Sequence, residues 1–310
     1  MSEKNTEINI GIPKFNSLAG ALAEIYGSDI RLNQSFRIPG GDINKAYGMQ
    51  LSNGKILFMK TNEKQKVYLF LSEAINLWAI SLTNTIKTPK LLAYGTDDGE
   101  EIGYSFLLME FVELGDIKDE FWDIFAENLA CMHKADTSSF VKNGKFGFLQ
   151  DNFIGRTKQI NAPKDSWVEF FRDNRLVPQF KMAEKYFEKD DFSKMEKLLS
   201  KVDKILIEPE TPALLHGDLW GGNILCDTKS LPLLIDPSCY VGHPEADIAM
   251  TELFGGFSGK FYDMYKNTGL LQSGYSERRE LYNLYHILNH LNMFGKTYLP
   301  AVRNIIDSYL

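Results

Sequence analysis

The chain has 310 residues, 44% of them hydrophobic and 24% charged, and a formal net charge of −7. This length suits one large domain or two lobes, and the acidic balance argues against a nucleic-acid-binding surface. The polar N-terminus, the lack of an apolar run of about 18 residues and the three widely spaced cysteines predict a cytoplasmic protein with reduced thiols and no membrane span.

The first hundred residues are typical of strands arranged around one helix. The predicted strands are 35–38, 46–51, 56–60, 90–95 and 104–112. Asn53-Gly54 predicts a hairpin turn between the second and third strands, because both residues tolerate positive φ. The third strand is expected to end at Lys60. Residues 63–82 carry apolar side chains at helical spacing, and Glu73 lies within that helix.

Two backbone segments of this region are candidates for binding a nucleotide. Gly40-Gly41, between the first two strands, has the flexibility to turn N–H groups toward phosphates, although a simple β-turn explains it equally well. Met109-Glu110-Phe111 ends the last strand, and its backbone is expected to hydrogen-bond an adenine edge. That second prediction rests on position alone.

The pattern changes after Val112. Residues 121–134 form a helical pattern, and helical stretches dominate from residue 166 onward. We therefore predict an α+β fold with a small β-rich N-terminal lobe, residues 1–111, and a larger, mainly helical C-terminal lobe, residues 112–310. The cleft between two such lobes is a natural ligand site.

The most informative segment is 214–236, LLHGDLWGGNILCDTKSLPLLID. Asp218 and Asn223 lie five positions apart, and the apolar run 231–235 leads to Asp236. This is the layout of a phosphotransferase catalytic loop, in which an aspartate accepts the proton of the attacking hydroxyl while an asparagine and a second aspartate hold Mg²⁺. The alternative is a Gly-rich turn in which Asn and Asp serve turn geometry.

Other polar residues fit the same site. Lys60 and Glu73, thirteen positions apart, match a phosphate-contacting lysine and its orienting glutamate, or else two exposed charges. His216 is predicted to be structural rather than the base. Asp247 is interpreted as a helix N-terminal carboxylate or as an anchor for the loop backbone. Trp220 is either a core residue or, as we prefer, a wall of the acceptor pocket.

Together these residues resemble the fructosamine kinase (ketosamine-3-kinase) family, a relative of aminoglycoside and choline phosphotransferases with the protein-kinase-like fold. The resemblance extends roughly from residue 40 to residue 298. The motifs are GGDINKAY (40–47), FMK (58–60), KFGF (145–148), WVEFF (167–171), HGDLWGGN (216–223), DPSCYVGH (236–243) and MTELFGGF (250–257).

The resemblance implies ATP-dependent phosphorylation of a ketosamine at the sugar O3, for deglycation of a small amine or a glycated protein. It implies Asp218 as base, Asn223 and Asp236 as Mg²⁺ ligands, the Lys60–Glu73 ion pair at the phosphates and 109–111 at the adenine. A monomer without nucleic-acid or membrane partners is expected.

Two alternatives stay open at this point. One is a kinase for an aminoglycoside, choline or another small alcohol, which acceptor profiling would separate. The other is a nucleotide-binding pseudokinase acting as an interaction module. A pseudokinase is expected to lack catalytic residues, whereas Lys60, Asp218, Asn223 and Asp236 are all present.

Overall fold

The computed structural model describes residues 10–40, 43–99 and 103–310, and its N-terminal part is built on a six-stranded sheet. The strands are β1 (Lys14–Phe15), β2 (Leu32–Ile38), β3 (Lys45–Leu51), β4 (Ile56–Glu63), β5 (Leu91–Asp97) and β6 (Tyr104–Glu110). Their order across the sheet is β1-β5-β6-β4-β3-β2. Neighbours are antiparallel except β1 and β5, which run parallel.

The outer face of this sheet is covered by α1 (Leu18–Tyr26), a helix that the sequence patterns did not predict. Leu18, Ala21 and Leu22 of α1 form one buried cluster with sheet residues such as Met59. The Ser17 hydroxyl accepts the Gly20 N–H at 3.1 Å and so caps the helix. A nine-residue helix has little stability of its own, so packing on the sheet holds α1 in place.

The opposite face of the sheet meets the rest of the molecule through α2 (Val67–Leu82), which follows a 3₁₀ turn. The prediction that the third strand ends at Lys60 is wrong. β4 continues to Glu63, because Asn62 and Glu63 stay in register with Ser105 and Tyr104 of β6. Lys60 therefore lies within a paired strand, which restricts its backbone more than a strand end would.

The C-terminal part is mainly helical, and the α+β prediction is confirmed. Its helices are α3 (Phe121–His133), α4 (Trp167–Phe171), α5 (Val177–Ala183), α6 (Lys189–Leu199), α7 (Val202–Ile205), α8 (Glu245–Leu253), α9 (Gly259–Lys266), α10 (Tyr275–Phe294) and α11 (Leu299–Ser308). The long helix α10 packs against α5, α8 and α11. Across the described ranges, no helix is both long and apolar enough to cross a membrane.

Three short antiparallel strand pairs interrupt the helices. The strands are β7 (Asn152–Ile154), β8 (Thr157–Gln159), β9 (Ala213–Leu215), β10 (Ile224–Cys226), β11 (Pro232–Leu234) and β12 (Tyr240–Gly242). β7 pairs with β8, β9 with β12, and β10 with β11. The loop 216–223 lies between β9 and β10, and Asp236 lies between β11 and β12, so these pairs bring the two polar segments together.

Candidate active site

Asp247 anchors the backbone of the loop that follows β9. Its Oδ2 accepts the N–H of His216 at 2.7 Å, and its Oδ1 accepts the N–H of Gly217 at 2.9 Å. His133 Nε2 lies 3.2 Å from the same Oδ2. Asp247 is 1% exposed and also lies in the first turn of α8. Burial disfavours its charge, yet the contact with His133, together with His216 and the Gly217 N–H, outweighs burial and lowers the pKa of Asp247.

His216 has a fully buried ring whose two nitrogens are both engaged. Nδ1 accepts the backbone N–H of Asp218 at 3.2 Å, and Nε2 donates to the carbonyl of Ile235 at 2.9 Å. These contacts require the neutral tautomer with its proton on Nε2. Burial lowers the pKa of His216, which favours the same neutral form. The ring therefore joins the loop to the segment before Asp236.

Asp218 lies partly buried in this loop, beside Asn223. The Asn223 side-chain amide donates to the Asp218 backbone carbonyl at 2.8 Å and approaches its carboxylate Oδ2 at 3.4 Å. Burial, reinforced by the negative charge of Asp236, raises the pKa of Asp218 to about 7 against the opposing hydrogen bond from Asn223. A carboxylate with that proton affinity is suited to accept a proton from a hydroxyl near neutral pH.

Lys60 reaches two carboxylates that come from distant parts of the chain. Its ammonium lies 2.6 Å from Glu73 Oε1 on α2 and also pairs with Asp236. Burial alone disfavours the ammonium form, but the two carboxylates outweigh burial and raise the pKa of Lys60. Lys60 is 8% exposed, whereas the Asp236 side chain is 45% exposed. The exposed charges considered as an alternative for Lys60 and Glu73 are therefore not what the structure shows.

Asn223 and Asp236 supply a donor set that suits Mg²⁺. The Asn223 amide nitrogen is directed at Asp218, which leaves the side-chain carbonyl oxygen as the ligand atom. Within the part of the chain that the structure describes, no group of three or more His, Cys, Asp or Glu side chains is arranged to hold a metal. Mg²⁺ typically takes one or two protein oxygens plus phosphate and water, so a small open donor set fits it.

The face of the sheet that carries Lys60 also carries a row of residues with two phenylalanine rings, which the sequence patterns missed. Phe36, Gly48, Phe58 and Met109 lie opposite one another across β2, β3, β4 and β6. Phe58 is two residues before Lys60 and so shares its face. A Cβ at Gly48 would overlap the Phe36 ring, which shows that the ring lies directly over this glycine. The sequence did contain a signal for Phe58, because alternate residues of a strand point to the same face and Phe58 lies two positions before Lys60.

Of the two predicted nucleotide-binding segments, 109–111 adjoins this row, because Met109 belongs to it. The Glu110 N–H donates to the Lys90 carbonyl at 2.9 Å, so it is used within the sheet and is not a free donor for adenine. The Phe111 ring contacts the Phe36 ring edge-on at 6.5 Å. Gly40 has φ of +112°, a value that favours glycine. Gly41, the second predicted loop glycine, lies outside the described residues.

Trp220 lies two residues beyond Asp218 and is 42% exposed, so it is not a core residue. A Cβ at Gly222 would overlap the indole, which shows that the ring lies across this glycine. The neighbouring Gly221 is close to the backbone of Gly255-Gly256, with 3.5 Å between its ideal Cβ position and the Gly255 carbonyl oxygen. Gly221, the residue after Trp220, thus borders the loop between α8 and α9.

The three cysteines, Cys131, Cys226 and Cys239, are free thiols. Cys226 and Cys239 are buried, and Cys131 is exposed. The expectation of reduced thiols therefore agrees with their placement in the fold.

Several known proteins are similar to this chain over nearly the whole length of both chains. A protein-ribulosamine 3-kinase, chloroplastic, of Arabidopsis thaliana is 38% identical, covering 96% of this chain and 91% of the relative. The probable ketoamine kinase of Synechocystis is 36% identical, covering 96% and 97%. A crystal structure from Haemophilus somnus, assigned as a fructosamine-3-kinase, is 28% identical with a TM-score of 0.82, covering 95% and 97%.

The family model described as fructosamine kinase matches residues 14–310. That range contains all the predicted motifs, including the loop at Asp218 and the segment at Asp236. The resemblance inferred from the motifs is confirmed, and with it the two-part kinase-like fold. The chain belongs to the fructosamine kinase family.

Proposed function

We propose that this protein transfers the γ-phosphoryl group of ATP to the O3 hydroxyl of a ketosamine, the adduct of a sugar on an amine. The observation that carries the proposal is the convergence of Asp218, Asn223 and Asp236 with Lys60 in one cleft of a fructosamine kinase family member. The 3-phosphate product would be chemically labile, so the amine could be regenerated and the reaction would serve deglycation.

On the acceptor side, Asp218 would take the proton of the O3 hydroxyl as that oxygen attacks phosphorus. The raised pKa of Asp218, about 7, matches a base that works near neutral pH. The half-exposed Trp220 indole would form one wall for the sugar, since aromatic faces suit sugar and cationic ligands. His216 and Asp247 would hold the loop that carries both residues.

On the nucleotide side, Lys60 would contact the phosphates while Glu73 holds its ammonium in place. Phe36 and Phe58 would line the base on the face of the sheet that carries Lys60, and the backbone at 109–111 would read its edge. The Gly40-Gly41 loop would cover the phosphates. Because Glu110 N–H is already used, we propose that donors for adenine come from residues after it.

Asn223 and Asp236 would hold Mg²⁺ against the nucleotide phosphates. The metal, when bound, neutralises charge on the transferring phosphoryl group. The protein groups mainly orient the reactants, because phosphoryl transfer needs positioning and electrostatic stabilisation more than covalent help.

The names of the relatives indicate which acceptors to test. The Arabidopsis relative is named for ribulosamine, and the Synechocystis relative for ketoamines in general. We propose that the substrates here are ribulosamines, erythrulosamines or fructosamines on small amines or on proteins. The sugar length is then a question for direct measurement.

The test is ATP-dependent phosphate transfer to ribulosyl-lysine, fructosyl-lysine, an aminoglycoside and choline, with Asp218→Asn as the control variant. We expect transfer to at least one ketosamine, and near-complete loss of turnover in Asp218→Asn with nucleotide binding retained. Transfer only to the aminoglycoside or choline would overturn the substrate, and transfer to none with ATP still bound would favour the pseudokinase. Near-normal turnover of Asp218→Asn would overturn the base.

A second variant tests the nucleotide side separately. Lys60→Met should lower turnover and weaken productive ATP binding, because the ammonium that bridges Glu73 and the phosphates is lost. An unchanged rate at saturating ATP would contradict the proposed ion-pair role. The two variants together assign acceptor chemistry to one residue and phosphate positioning to the other.

A further inference from the structure

We propose that a buried network of side-chain amides centred on Asn152 holds the Asp236 turn in the shape that binds metal, which makes Asn152 and Gln159 positioning residues. The inference rests on the proposed role of Asp236 as a Mg²⁺ ligand and extends it. The network lies outside the cleft, and none of its members would touch the substrate or the reacting atoms.

The turn at Asp236 needs external support. Asp236 has φ of +54°, a left-handed conformation that costs a non-glycine residue about 1–3 kcal/mol and persists only where its surroundings impose it. On the N-terminal side, the Ile235 N–H donates to the backbone carbonyl of Asn223 at 3.1 Å, and the Ile235 carbonyl accepts from the His216 ring at 2.9 Å. The catalytic loop thus fixes the chain just before Asp236.

On the C-terminal side, three consecutive backbone carbonyls each accept a hydrogen bond from a buried amide. The bonds are Asn76 Nδ2 to Pro237 O (2.8 Å), Gln159 Nε2 to Ser238 O (3.0 Å) and Asn152 Nδ2 to Cys239 O (2.7 Å). A helix or sheet would satisfy such carbonyls with backbone N–H groups. Here side chains do so, and they fix the direction in which the chain leaves Asp236.

Asn152 joins these amides to one another. Its Nδ2 also donates to Asn76 Oδ1 at 3.0 Å, and its Oδ1 accepts from Gln159 at 2.7 Å and from Asn161 at 2.9 Å. All four side chains are 2% exposed or less. The two donor hydrogens and both acceptor positions of Asn152 are therefore used, which leaves it no alternative arrangement at low energy.

The network also connects the turn to two helices. Asn76 lies one helical turn after Glu73 on α2, the helix that orients Lys60. Gln159 Oε1 accepts from the Tyr285 hydroxyl of α10 at 2.7 Å. The β7–β8 hairpin, which carries Asn152 and Gln159, thus ties the Asp236 turn to the helix at its back and to the core of the C-terminal part.

Loss of this support should appear as weaker metal binding rather than as loss of acceptor binding. Groups that orient a metal ligand from behind typically account for about 10–100-fold in metal affinity. Asn152→Ala removes the hub and leaves the Cys239 carbonyl without its amide donor. We expect the Mg²⁺ concentration at half-saturation to rise by about 10–100-fold, with the KM for ketosamine little changed.

Asn289→Ala is the matched control. Asn289 is an equally buried asparagine on α10, at 4% exposure, and its side chain bonds to Gln179 and Met293 rather than to the Asp236 turn. The same Asn→Ala change therefore removes a buried amide without removing a hydrogen bond to the Asp236 turn. The Mg²⁺ requirement should stay within about twofold of wild type, because Asn289 shares no hydrogen-bond partner with the Asp236 turn.

The experiment measures binding of AMP-PNP by calorimetry across a Mg²⁺ series, with Asp236→Asn included. If Asp236→Asn keeps the wild-type Mg²⁺ dependence, the metal role of Asp236 fails. If Asp236→Asn loses the Mg²⁺ dependence while Asn152→Ala and Asn289→Ala need the same Mg²⁺ concentration for half-saturation, the network inference is overturned and the proposed function stands. Should Asn152→Ala not fold, Gln159→Leu, which removes the bond to Ser238, is judged by the same two outcomes.

Discussion

The role of Asp247 in holding the backbone of His216 and Gly217 can be tested with one substitution, because it is possible to keep the shape of the side chain and remove one of its hydrogen bonds. Asp247→Asn keeps the size of the side chain but replaces one acceptor oxygen with an NH₂ group. The two backbone donors lie on different oxygens, with His216 N–H at Oδ2 and Gly217 N–H at Oδ1. An asparagine can accept only one of them, so the other buried N–H must face a donor.

The size of the effect follows from these contacts. Losing a hydrogen bond to a buried charged group and leaving a buried N–H unsatisfied together cost about 2–4 kcal/mol. For a chain of this length, 1 kcal/mol corresponds to about 2 °C in Tm, so the expected fall is about 4–8 °C. The unpaired N–H belongs to His216 or Gly217, directly before Asp218. A shift of the base by about 1 Å would lower kcat about 100-fold.

The assay compares Tm and kcat with those of Asp227→Asn. Asp227 also accepts two backbone N–H groups, those of Lys229 at 2.9 Å and Leu231 at 2.8 Å, but both are on Oδ1. An asparagine can keep both with its carbonyl oxygen and loses only the ion pair of Oδ2 with the exposed Lys87 at 3.3 Å, so this control should lose less than about 1 kcal/mol. If Asp247→Asn matched Asp227→Asn in both measurements, the anchoring argument would be refuted.

Two further predictions follow from close contacts and buried histidines. Gly222→Ala should push the Trp220 ring aside and raise the KM for ketosamine about tenfold, with little change in kcat. Gly221→Ala, whose Cβ would meet nothing nearer than 3.5 Å, should leave the KM unchanged. Equal KM values for the two variants would contradict this prediction. Burial lowers the pKa of His243 to about 4 and of His286 to about 3, so between about pH 6.5 and 4 these two rings take up protons mainly in the unfolded chain. Asp218, whose pKa is raised to about 7, takes up its proton in the folded chain and so acts in the opposite direction, which makes the comparison of His286→Gln with wild type the informative one. Urea unfolding should show the stability of the variant falling less steeply than that of wild type, by about 1.4 kcal/mol per pH unit, as pH drops from 6.5 toward 4, and equal slopes would count against this.

The catalytic segment was predictable because its residues are close in sequence. Asp218, Asn223 and Asp236 lie within 19 positions, and the flanking apolar runs show where strands begin and end. The Lys60–Glu73 pair was predictable as a relation between a strand and the next helix. Their roles as base, metal ligands and phosphate contacts stay predictions, whereas their convergence at one place in the molecule is a property of the fold.

The missed elements share a physical cause, since each depends on a distant partner. α1 is short and contains Gly20, and it is held by packing on the sheet rather than by its own propensity. The polar end of β4, Thr61 to Glu63, is a strand because β6 supplies its pairing partners. Local sequence patterns do not identify such partners, so predictions from them fail at the ends of strands and for short elements that are held by packing.

The amide network is the strongest case of this limit. Asparagine and glutamine ordinarily indicate turns and surfaces, yet these bonds span 161, 87 and 79 positions in the sequence. A buried carboxylate has no hydrogen to donate to a carbonyl, and a buried Lys or Arg would add a positive charge close to the site proposed for Mg²⁺. An amide is neutral, donates twice and accepts as well, so one side chain can bind a carbonyl of the turn and the next amide together. The chemistry of a left-handed turn beside a proposed metal ligand therefore accounts for the three uncharged amides that contact the turn, whereas the buried guanidinium of Arg175 meets the network through Asn161.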